Sequence, residues 1–248
     1  MLKVQSIFAS IDGEVNAYDG AGQVSTFIRL RSCNLRCTYC DTKYAQDQCE
    51  TLGQTWKKME IHEIIDQMMN QKVTLTGGEP LFQGGEVASL IALLISKGHD
   101  VTVETNGSIP LIRYGLCYYP RDREGHRGSV RFVMDYKLPS SEMEDRMCLD
   151  NFHLLKPQDV IKFVVSDTAD WFRVRDVVHT YCLTCLARIV VSPAVSIVDG
   201  HTNLTWAVTL ANLLVKEPMW AGHSGPEAQY SLQLHKILWP TSGEKDER

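Results

Sequence analysis

The stretch Cys33-Asn-Leu-Arg-Cys37-Thr-Tyr-Cys40, followed directly by Asp41-Thr42, places three cysteines within eight residues. Three thiolates at this spacing can hold one face of a four-iron cluster, which normally takes four cysteine ligands. One iron is then left open to an outside ligand, and an open metal position is typical of catalysis rather than of a structural site. The stretch therefore predicts a catalytic iron–sulfur centre, in a fold that presents this loop beside a substrate pocket.

A structural zinc site is the main alternative, because it also uses closely spaced cysteines. Cys182-Leu-Thr-Cys185 offers a second close pair. That pair lies far along the chain, however, and five cysteines are too many for one zinc. We expect Cys182 and Cys185 to be small apolar residues of the core, as we do for Cys117 and Cys148. A non-catalytic zinc-binding module remains open at this point.

Composition excludes several classes of protein. The chain has 248 residues, 44% of them hydrophobic, which is compatible with a single large domain. A formal net charge of -5 provides no basic footprint for nucleic acid. The apolar run from Leu90 to Ile95 is far shorter than the roughly 20 residues that span a bilayer. The first residues lack the apolar core of a signal peptide, so we expect a cytoplasmic protein with no membrane partner.

Helix and strand patterns alternate after the cysteine loop, which predicts an α/β fold with a parallel sheet and right-handed crossovers. The predicted strands are Val73–Thr76, Val101–Glu104, Val130–Met134, Val160–Val165 and Ala187–Val191. The predicted helices cover residues 61–69, Val87–Ile95, Arg146–Leu155, Ala169–Tyr181 and Leu204–Val215. We expect one domain over residues 1–248. The charged, glycine-punctuated segment 113–129 predicts a surface insertion.

Polar motifs follow three of the predicted strands: Thr76-Gly-Gly-Glu-Pro80, Glu104-Thr-Asn-Gly107 and Asp135-Tyr-Lys137. The carboxyl ends of parallel strands meet at one edge, where chemistry collects in such folds. Two adjacent glycines also let a backbone approach a ligand closely. Taken alone, each motif is as compatible with a tight turn or a hydrogen-bonded strand end as with a ligand site. Their common position after the cysteine loop favours one shared site.

The cysteine spacing, together with these motifs, resembles the radical S-adenosylmethionine superfamily. The resemblance implies an incomplete (β/α) barrel, open on one side, with one 4Fe-4S cluster on Cys33, Cys37 and Cys40. It also implies that the open iron chelates S-adenosylmethionine, which one electron splits into methionine and a 5′-deoxyadenosyl radical. The residues that would contact this cofactor are Tyr39, Gly77, Gly78, Glu79, Glu104, Asn106, Asp135 and Lys137.

Further motifs resemble the 7-carboxy-7-deazaguanine synthase family, and they extend over nearly the whole chain. They are Ser6–Glu14, Phe27-Ile-Arg29, Cys40-Asp-Thr42, Val133–Ser141 and Gln233–Pro240. The resemblance implies a ring contraction of 6-carboxy-5,6,7,8-tetrahydropterin to 7-carboxy-7-deazaguanine, with release of ammonia, on the route to queuosine. It further implies magnesium, a homodimer, and an electron donor such as flavodoxin or ferredoxin.

The same resemblance assigns roles around the substrate. Arg29 would bind the substrate carboxylate with its forked guanidinium, although a surface ion pair is the alternative. Thr42 offers a hard oxygen for magnesium, or a local turn hydrogen bond. Gln233 and His235 lie on what reads as a strand with one polar face and would bind the pterin amide edge. Glu14 is placed near the substrate by the resemblance alone.

Two positions depart from the family pattern. The family usually has glycine after the Gly-Glu pair and directly before the first cysteine, where this chain has Val15 and Ser32. A residue with a Cβ restricts φ, so these loops should follow a constrained path. Among enzymes the rival hypothesis is a glycyl-radical-activating enzyme, which shares the cysteine spacing but does not require the terminal motifs.

Overall fold

The computed structural model describes residues 1–13, 20–46, 56–111, 128–198, 201–217 and 228–239. Glu14, Val15 and residues 113–127 of the predicted insertion lie outside the described residues, as do Cys117 and Pro240. All other candidate site residues lie within them.

A nine-stranded sheet forms the centre of the molecule, in the order β11-β8-β7-β6-β5-β4-β2-β1-β3. Its strands are β1 (Leu2–Asp12), β2 (Gln23–Leu30), β3 (Lys57–Met59), β4 (Lys72–Gly77), β5 (Asp100–Thr105), β6 (Val130–Tyr136), β7 (Val160–Val165), β8 (Arg188–Pro193) and β11 (Gln229–Tyr230). Strands β2, β4, β5, β6, β7, β8 and β11 pair in parallel, whereas β1 pairs antiparallel with β2 and with β3. The end strands β11 and β3 do not close the sheet, so the predicted open, incomplete α/β barrel is confirmed.

Helices α1 (Ile61–Ile65), α2 (Gly85–Ser96), α3 (Thr168–Thr180) and α4 (Thr205–Val215) pack on the outer side of the sheet. Helix α5 (Leu234–Leu238) instead lies at the carboxyl edge, and a small hairpin pairs β9 (Ser196–Val198) with β10 (His201–Asn203). Helix α2 buries Val87, Leu90, Ile91, Leu94 and Ile95, one stripe at helical spacing. Each such side chain contributes about 1.5–3 kcal/mol on full burial. No helix in these described ranges is both long and apolar enough to cross a membrane.

The inner face of the barrel has an apolar floor, formed by Val133, Val160 and Val190. These residues lie on β6, β7 and β8, and residues two positions further along a strand point to the same face. Asp135 on β6 and Lys162 on β7 lie opposite each other in register just beyond this floor. The sheet therefore presents charged side chains above an apolar base at its carboxyl edge.

The predicted helix over Arg146–Leu155 is wrong, because this segment forms two short 3-10 turns at Glu144–Arg146 and Leu149–Leu154. The cause is Asn151, which is fully buried. Its side chain accepts from the Leu111 amide at 2.9 Å and donates to the carbonyls of Gly107 at 3.1 Å and Ile109 at 3.0 Å. These long-range bonds hold the chain in a path that a regular helix does not follow.

Two other sequence expectations are corrected. Helix α1 ends at Ile65 rather than near Met69, because the Thr26 hydroxyl accepts the amides of Met69 at 3.1 Å and Asn70 at 3.0 Å and draws the chain towards β2. The tail is not a strand with one polar face over Ser231–His235. It turns into helix α5 at Leu234, and the polar residues Ser231 and Gln233 just before that helix are buried.

The second cysteine pair is not part of the core, since Cys182 and Cys185 are both exposed. They flank the turn that leads into the amino end of β8, whereas the Cys33–Cys40 loop follows the carboxyl end of β2. A six-residue strand spans about 20 Å, so opposite edges of the parallel sheet separate the two groups. The two cysteine groups therefore cannot share one zinc ion.

Candidate active site at the carboxyl edge of the sheet

A cavity of about 530 Å³ opens at the carboxyl edge, within the range typical of small-molecule sites. Fourteen of the sequence-predicted site residues line it: Arg29, Cys33, Cys37, Tyr39, Cys40, Thr42, Gly77, Gly78, Glu104, Asn106, Asp135, Lys137, Gln233 and His235. Of the remaining two, Glu79 does not line the cavity and Glu14 lies outside the described residues. The fold thus brings the cysteine loop, the strand-end motifs and the tail together.

The cysteine loop is fixed by hydrogen bonds that end on main-chain carbonyls. The Arg36 guanidinium donates to the Cys33 carbonyl at 2.7 Å, and Cys40 N–H donates to the Cys37 carbonyl at 3.2 Å. The segment after β6 holds the other side, where the Thr38 hydroxyl donates to the Ser140 carbonyl at 2.6 Å. A loop held in this way keeps its side chains free to face the cavity.

The sulfur atoms lie among hydrogen-bond donors, which suits thiolate ligands. Cys33 Sγ accepts from the Leu35 amide at 3.4 Å, and Cys40 Sγ accepts from Gln46 Nε2 at 3.5 Å. Burial raises the pKa of the Cys37 thiol to about 11, so iron must displace its proton on binding. No three His, Cys, Asp or Glu side chains in the described ranges are placed to share a single metal ion. A four-iron cluster does not require such convergence, because its cysteines bind different irons.

The paired glycines after β4 allow a close approach of two backbones. A Cβ at Gly77 would stand 2.0 Å from the Leu30 carbonyl oxygen, and Gly77 has a φ of +133°. Gly78 donates to the Leu30 carbonyl at 3.0 Å. The glycines therefore let the end of β4 dock directly on the start of the cysteine loop, in addition to lining the cavity.

Glu79 is fully buried and does not line the cavity. Its carboxylate accepts from the Leu81 amide at 3.0 Å, the Thr105 hydroxyl at 2.8 Å and the Asn106 amide at 2.6 Å. Burial raises the pKa of Glu79 to about 7, against the opposing effect of these donors. In this geometry Glu79 joins the ends of β4 and β5 and acts on the site through its neighbours.

Charged groups line the wall formed by β5 and β6. Lys137 Nζ donates to Asp135 Oδ2 at 2.9 Å, and the Thr76 hydroxyl donates to Glu104 Oε2 at 2.6 Å. Burial acts to lower the pKa of Lys137, but the Asp135 carboxylate, together with Cys37 and Tyr39, outweighs it and the pKa is raised. The ammonium group therefore stays charged, facing a cavity that can receive an anionic ligand.

Three buried polar atoms of cavity-lining residues have no hydrogen-bond partner among the described residues. They are Arg29 Nε, the Tyr39 hydroxyl oxygen and Asp135 Oδ1. Buried polar groups are nearly always paired in folded proteins. A polar ligand fits here, because it can satisfy donors and acceptors that the protein leaves open.

Arg29 enters the cavity between two aromatic rings. Its guanidinium carbon lies 5.7 Å from the centre of the Phe8 ring and 5.8 Å from that of Tyr44. Such packing holds the planar group while leaving its edge available to a carboxylate. The alternative of a surface ion pair does not describe this position.

The tail closes the opposite side of the cavity. Leu234 N–H donates to the Gly13 carbonyl at 2.9 Å, which ties α5 to the end of β1. Lys236 Nζ lies 3.3 Å and His235 Nε2 3.9 Å from Asp41 Oδ2, directly beside Cys40. Although desolvation acts to raise it, His235, Lys236 and Arg29 hold the pKa of the Asp41 carboxyl well below its usual range. This ion pair links the tail to the cysteine loop.

Sequence reasoning missed two buried charged residues of the cavity, Lys162 and Asp12. Lys162 is a single lysine within the apolar run Val160–Val165, a pattern that predicts an inward-facing charge in a barrel. Asp12 accepts from the Thr74 hydroxyl at 3.1 Å, inside the motif Ser6–Glu14. In both cases a charged residue within a strand of mainly apolar residues could have indicated a functional position.

The fold and the site together define a protein of the radical S-adenosylmethionine class, and the family model described as "Radical SAM superfamily" matches residues 27–119. A 7-carboxy-7-deazaguanine synthase of Clostridium acetobutylicum is 35% identical over 237 residues, which cover 96% of each chain. One of Methanospirillum hungatei is 34% identical over 241 residues, covering 96% of this chain and 85% of that protein. The chain therefore belongs to the 7-carboxy-7-deazaguanine synthase family.

A solved structure shows the same fold. It is described as the crystal structure of QueE from Escherichia coli, and it covers 93% of both chains with a TM-score of 0.65 at 17% identity. Membership in the radical S-adenosylmethionine superfamily implies a 4Fe-4S cluster and S-adenosylmethionine. The three cysteine sulfurs and the open polar atoms of the cavity fit those two groups.

Proposed function

We propose that this protein converts 6-carboxy-5,6,7,8-tetrahydropterin to 7-carboxy-7-deazaguanine, with loss of ammonia, in deazapurine biosynthesis. The observation that carries the proposal is the position of Arg29. Its guanidinium group lies between the Phe8 and Tyr44 rings, in the same cavity as all three cysteines. The pterin is planar and carries one carboxylate, so one fixed cation together with polar groups for the ring edge suits its recognition.

Cys33, Cys37 and Cys40 would hold the cluster, and the cavity wall of Tyr39, Gly77, Gly78, Glu104, Asn106, Asp135 and Lys137 would hold S-adenosylmethionine. When bound, these groups supply a 5′-deoxyadenosyl radical, and the protein supplies binding, orientation and exclusion of side reactions. Tyr39 and Asp135 each offer a buried polar atom to the cofactor. Glu79 would contribute by fixing the Asn106 backbone rather than by direct contact.

Arg29 would bind the substrate carboxylate, while Gln233 and His235 would bind the pterin ring edge. Gln233 is only 7% exposed and lines the cavity, which favours a role in recognition over one at the surface. His235 is drawn towards Asp41, so its ring is oriented from one side. Glu14 is also proposed to lie near the substrate, and this proposal rests on the family resemblance alone.

Thr42 is the proposed ligand of magnesium. Its hydroxyl donates to the Gly77 carbonyl at 3.3 Å, so its lone pairs are directed away from that bond and can meet a cation. Magnesium takes few protein ligands and keeps waters and substrate oxygens, which agrees with a single hydroxyl at this position.

Several broader features belong to the same proposal. The 248 residues would form one radical S-adenosylmethionine domain with a surface insertion at 113–129, and two copies would form a homodimer. A flavodoxin or ferredoxin would donate the electron. A reducing compartment such as the cytoplasm is required to keep the thiols and the cluster intact.

The decisive experiment is an anaerobic turnover assay with reconstituted protein and 6-carboxy-5,6,7,8-tetrahydropterin, with and without magnesium. We expect product formation without stoichiometric consumption of S-adenosylmethionine, and faster turnover with magnesium. Substitution of Arg29 by Lys, which keeps the charge but not the fork, should raise KM for the pterin. A protein that carries the cluster and cleaves S-adenosylmethionine but leaves the pterin unchanged would refute the assignment and favour a glycyl-radical-activating enzyme.

A further inference from the structure

Three side chains form a closed hydrogen-bonded ring beside Cys33. Asn34 Nδ2 donates to Ser108 Oγ at 2.7 Å, and Ser108 Oγ donates to Asn106 Oδ1 at 2.6 Å. Asn106 Nδ2 in turn donates to Asn34 Oδ1 at 3.2 Å. Neither Asn34 nor Ser108 is among the proposed cofactor or substrate contacts, yet both hydrogen-bond to Asn106, which is a proposed cofactor contact.

The ring fixes which end of the Asn106 amide faces the sulfur. The Ser108 main-chain N–H also donates to Asn106 Oδ1, at 3.0 Å, and a backbone N–H can only donate. The atom it meets must therefore be the amide oxygen. The NH₂ group then points the other way, with one hydrogen for Asn34 Oδ1 and one for Cys33 Sγ, which lies 3.7 Å from Asn106 Nδ2.

We propose that Asn34 and Ser108 are positioning residues that aim the Asn106 amide N–H at the Cys33 sulfur and so set the reduction potential of the cluster. The inference rests on the proposed function only in placing a cluster on Cys33. An N–H donor stabilises the thiolate more strongly in the reduced, more negative state, and hydrogen bonds to the ligating sulfurs are among the determinants of such potentials. Asn106 is 8% exposed, so water does not readily replace its amide.

The ring differs from ordinary loop support because it controls the orientation of one dipole. The loop itself is already held by the Arg36 bond to the Cys33 carbonyl and by Thr38. Loss of the Ser108 hydroxyl removes one of the two donors on Asn106 Oδ1, and loss of Asn34 removes an acceptor for its NH₂ group. Either change should let the amide turn away from the sulfur without removing a ligand.

The test is an EPR-monitored redox titration of the reconstituted protein without S-adenosylmethionine, so that cofactor contacts do not enter. We expect a more negative midpoint potential in Ser108→Ala and Asn34→Ala, and a near wild-type value in Ser108→Thr, which keeps the hydroxyl. Ser96→Ala is the matched control, since it removes one hydroxyl bond at the exposed end of α2. Equal potentials in all five proteins at equal iron and sulfide content would overturn the inference.

A second measurement needs no substitution. Wild-type protein labelled with ¹⁵N only in the side-chain amide of asparagine should show nitrogen hyperfine coupling to the reduced cluster. The exchangeable proton is not diagnostic, because the Leu35 amide also donates to Cys33 Sγ. Absence of the nitrogen coupling would also overturn the inference, even if the variants failed to assemble a cluster. Failure of pterin turnover leaves both results unchanged, so the proposed function and this inference can fail independently.

Discussion

Gly78 and Ser32 are in direct backbone contact: a Cβ at Gly78 would stand 2.1 Å from the Ser32 carbonyl oxygen. The same carbonyl accepts the Glu79 amide at 2.8 Å, and Ser32 N–H donates to the Ala45 carbonyl at 2.8 Å. Ser32 thus joins the end of β4 to both ends of the cysteine loop. The glycine motif and the cysteine motif are two halves of one packed structure.

Substitution of Gly78 by Ala should therefore destabilise the protein and impair cluster assembly. A methyl group at 2.1 Å from a backbone oxygen cannot be accommodated without moving the main chain, and overpacking of this kind costs about 1–3 kcal/mol. Urea unfolding of the apoprotein and iron content after reconstitution measure the two effects. Gly85→Ala is the control, because nothing lies within 4 Å of its Cβ position and alanine favours helix. Equal stability of both variants would contradict this account.

Substitution of Ser32 by Gly should stabilise the protein. Ser32 has a φ of +81°, in the region that favours glycine, and an L-residue there costs about 1–2 kcal/mol. The greater chain entropy of unfolded glycine offsets part of this, so we expect a gain of about 0.5–1 kcal/mol. Ser32→Ala separates strain from the hydroxyl, since alanine keeps the strain. A Gly variant no more stable than the Ala variant in urea would show that the backbone is relaxed.

The positive φ of Ser32 illustrates what the sequence could predict. Family resemblance marked this position as one that usually holds glycine, and the strained backbone confirms the expected constraint. The strands Val101–Glu104 and Val160–Val165 were also predictable, because short runs rich in valine and isoleucine are typical of strands buried within a parallel sheet. These features depend on neighbours in the chain or on a shared motif.

Features set by long-range contacts were not predictable. The segment around Asn151 has a helical apolar pattern, but its path is decided by bonds to residues 107–111, about forty positions away. The tail was predicted as a strand because Ser231, Gln233 and His235 alternate with leucines. The Gly13 carbonyl instead receives the amide at Leu234, where helix α5 begins. The alternation of polar and apolar residues in the tail contains no information about this hydrogen bond, because its acceptor lies near the other end of the chain.

Substitution of Cys37 by Ala should abolish the cluster, whereas Cys185→Ala should retain it. Cys37 lines the cavity together with Cys33 and Cys40, but Cys185 is exposed at the opposite edge of the sheet. Iron and sulfide content after anaerobic reconstitution, together with the optical spectrum, measures the difference. We expect near-complete loss of bound iron in the first variant and none in the second. A comparable loss of iron in both variants would indicate that Cys182 and Cys185 also contribute to the metal site.

Glu79 should make the stability of the apoprotein fall as pH rises. Its folded pKa of about 7 lies above the unfolded value near 4.5, so between these values the folded state binds more protons. The stabilisation that Glu79 contributes to the folded state is fully present below about pH 4.5 and is lost as the pH rises through about 7. The free energy of unfolding should fall by about 3 kcal/mol in total over this range. Free energies of unfolding from pH 4.5 to 8 should show a flatter profile for Glu79→Gln than for wild type. Glu142→Gln, at an exposed position, should leave the slope unchanged; a parallel profile for Glu79→Gln would contradict the prediction.

The ion pair between Asp41 and Lys236 should stabilise the closed position of the tail over the cavity. Asp41 is half-exposed, so the pair is worth only about 0.2–1 kcal/mol, and its loss should raise KM for the pterin by up to about fivefold. Lys236→Met keeps the alkyl chain but removes the charge, and Lys97→Met on the far end of α2 serves as control. The double substitution Asp41→Asn with Lys236→Met should raise KM no more than Asp41→Asn alone, because the single change already removes the partner of Lys236. Fully additive effects at constant iron content would show that the two residues act separately. High salt should reduce the difference between wild type and variants, since exposed charges are screened.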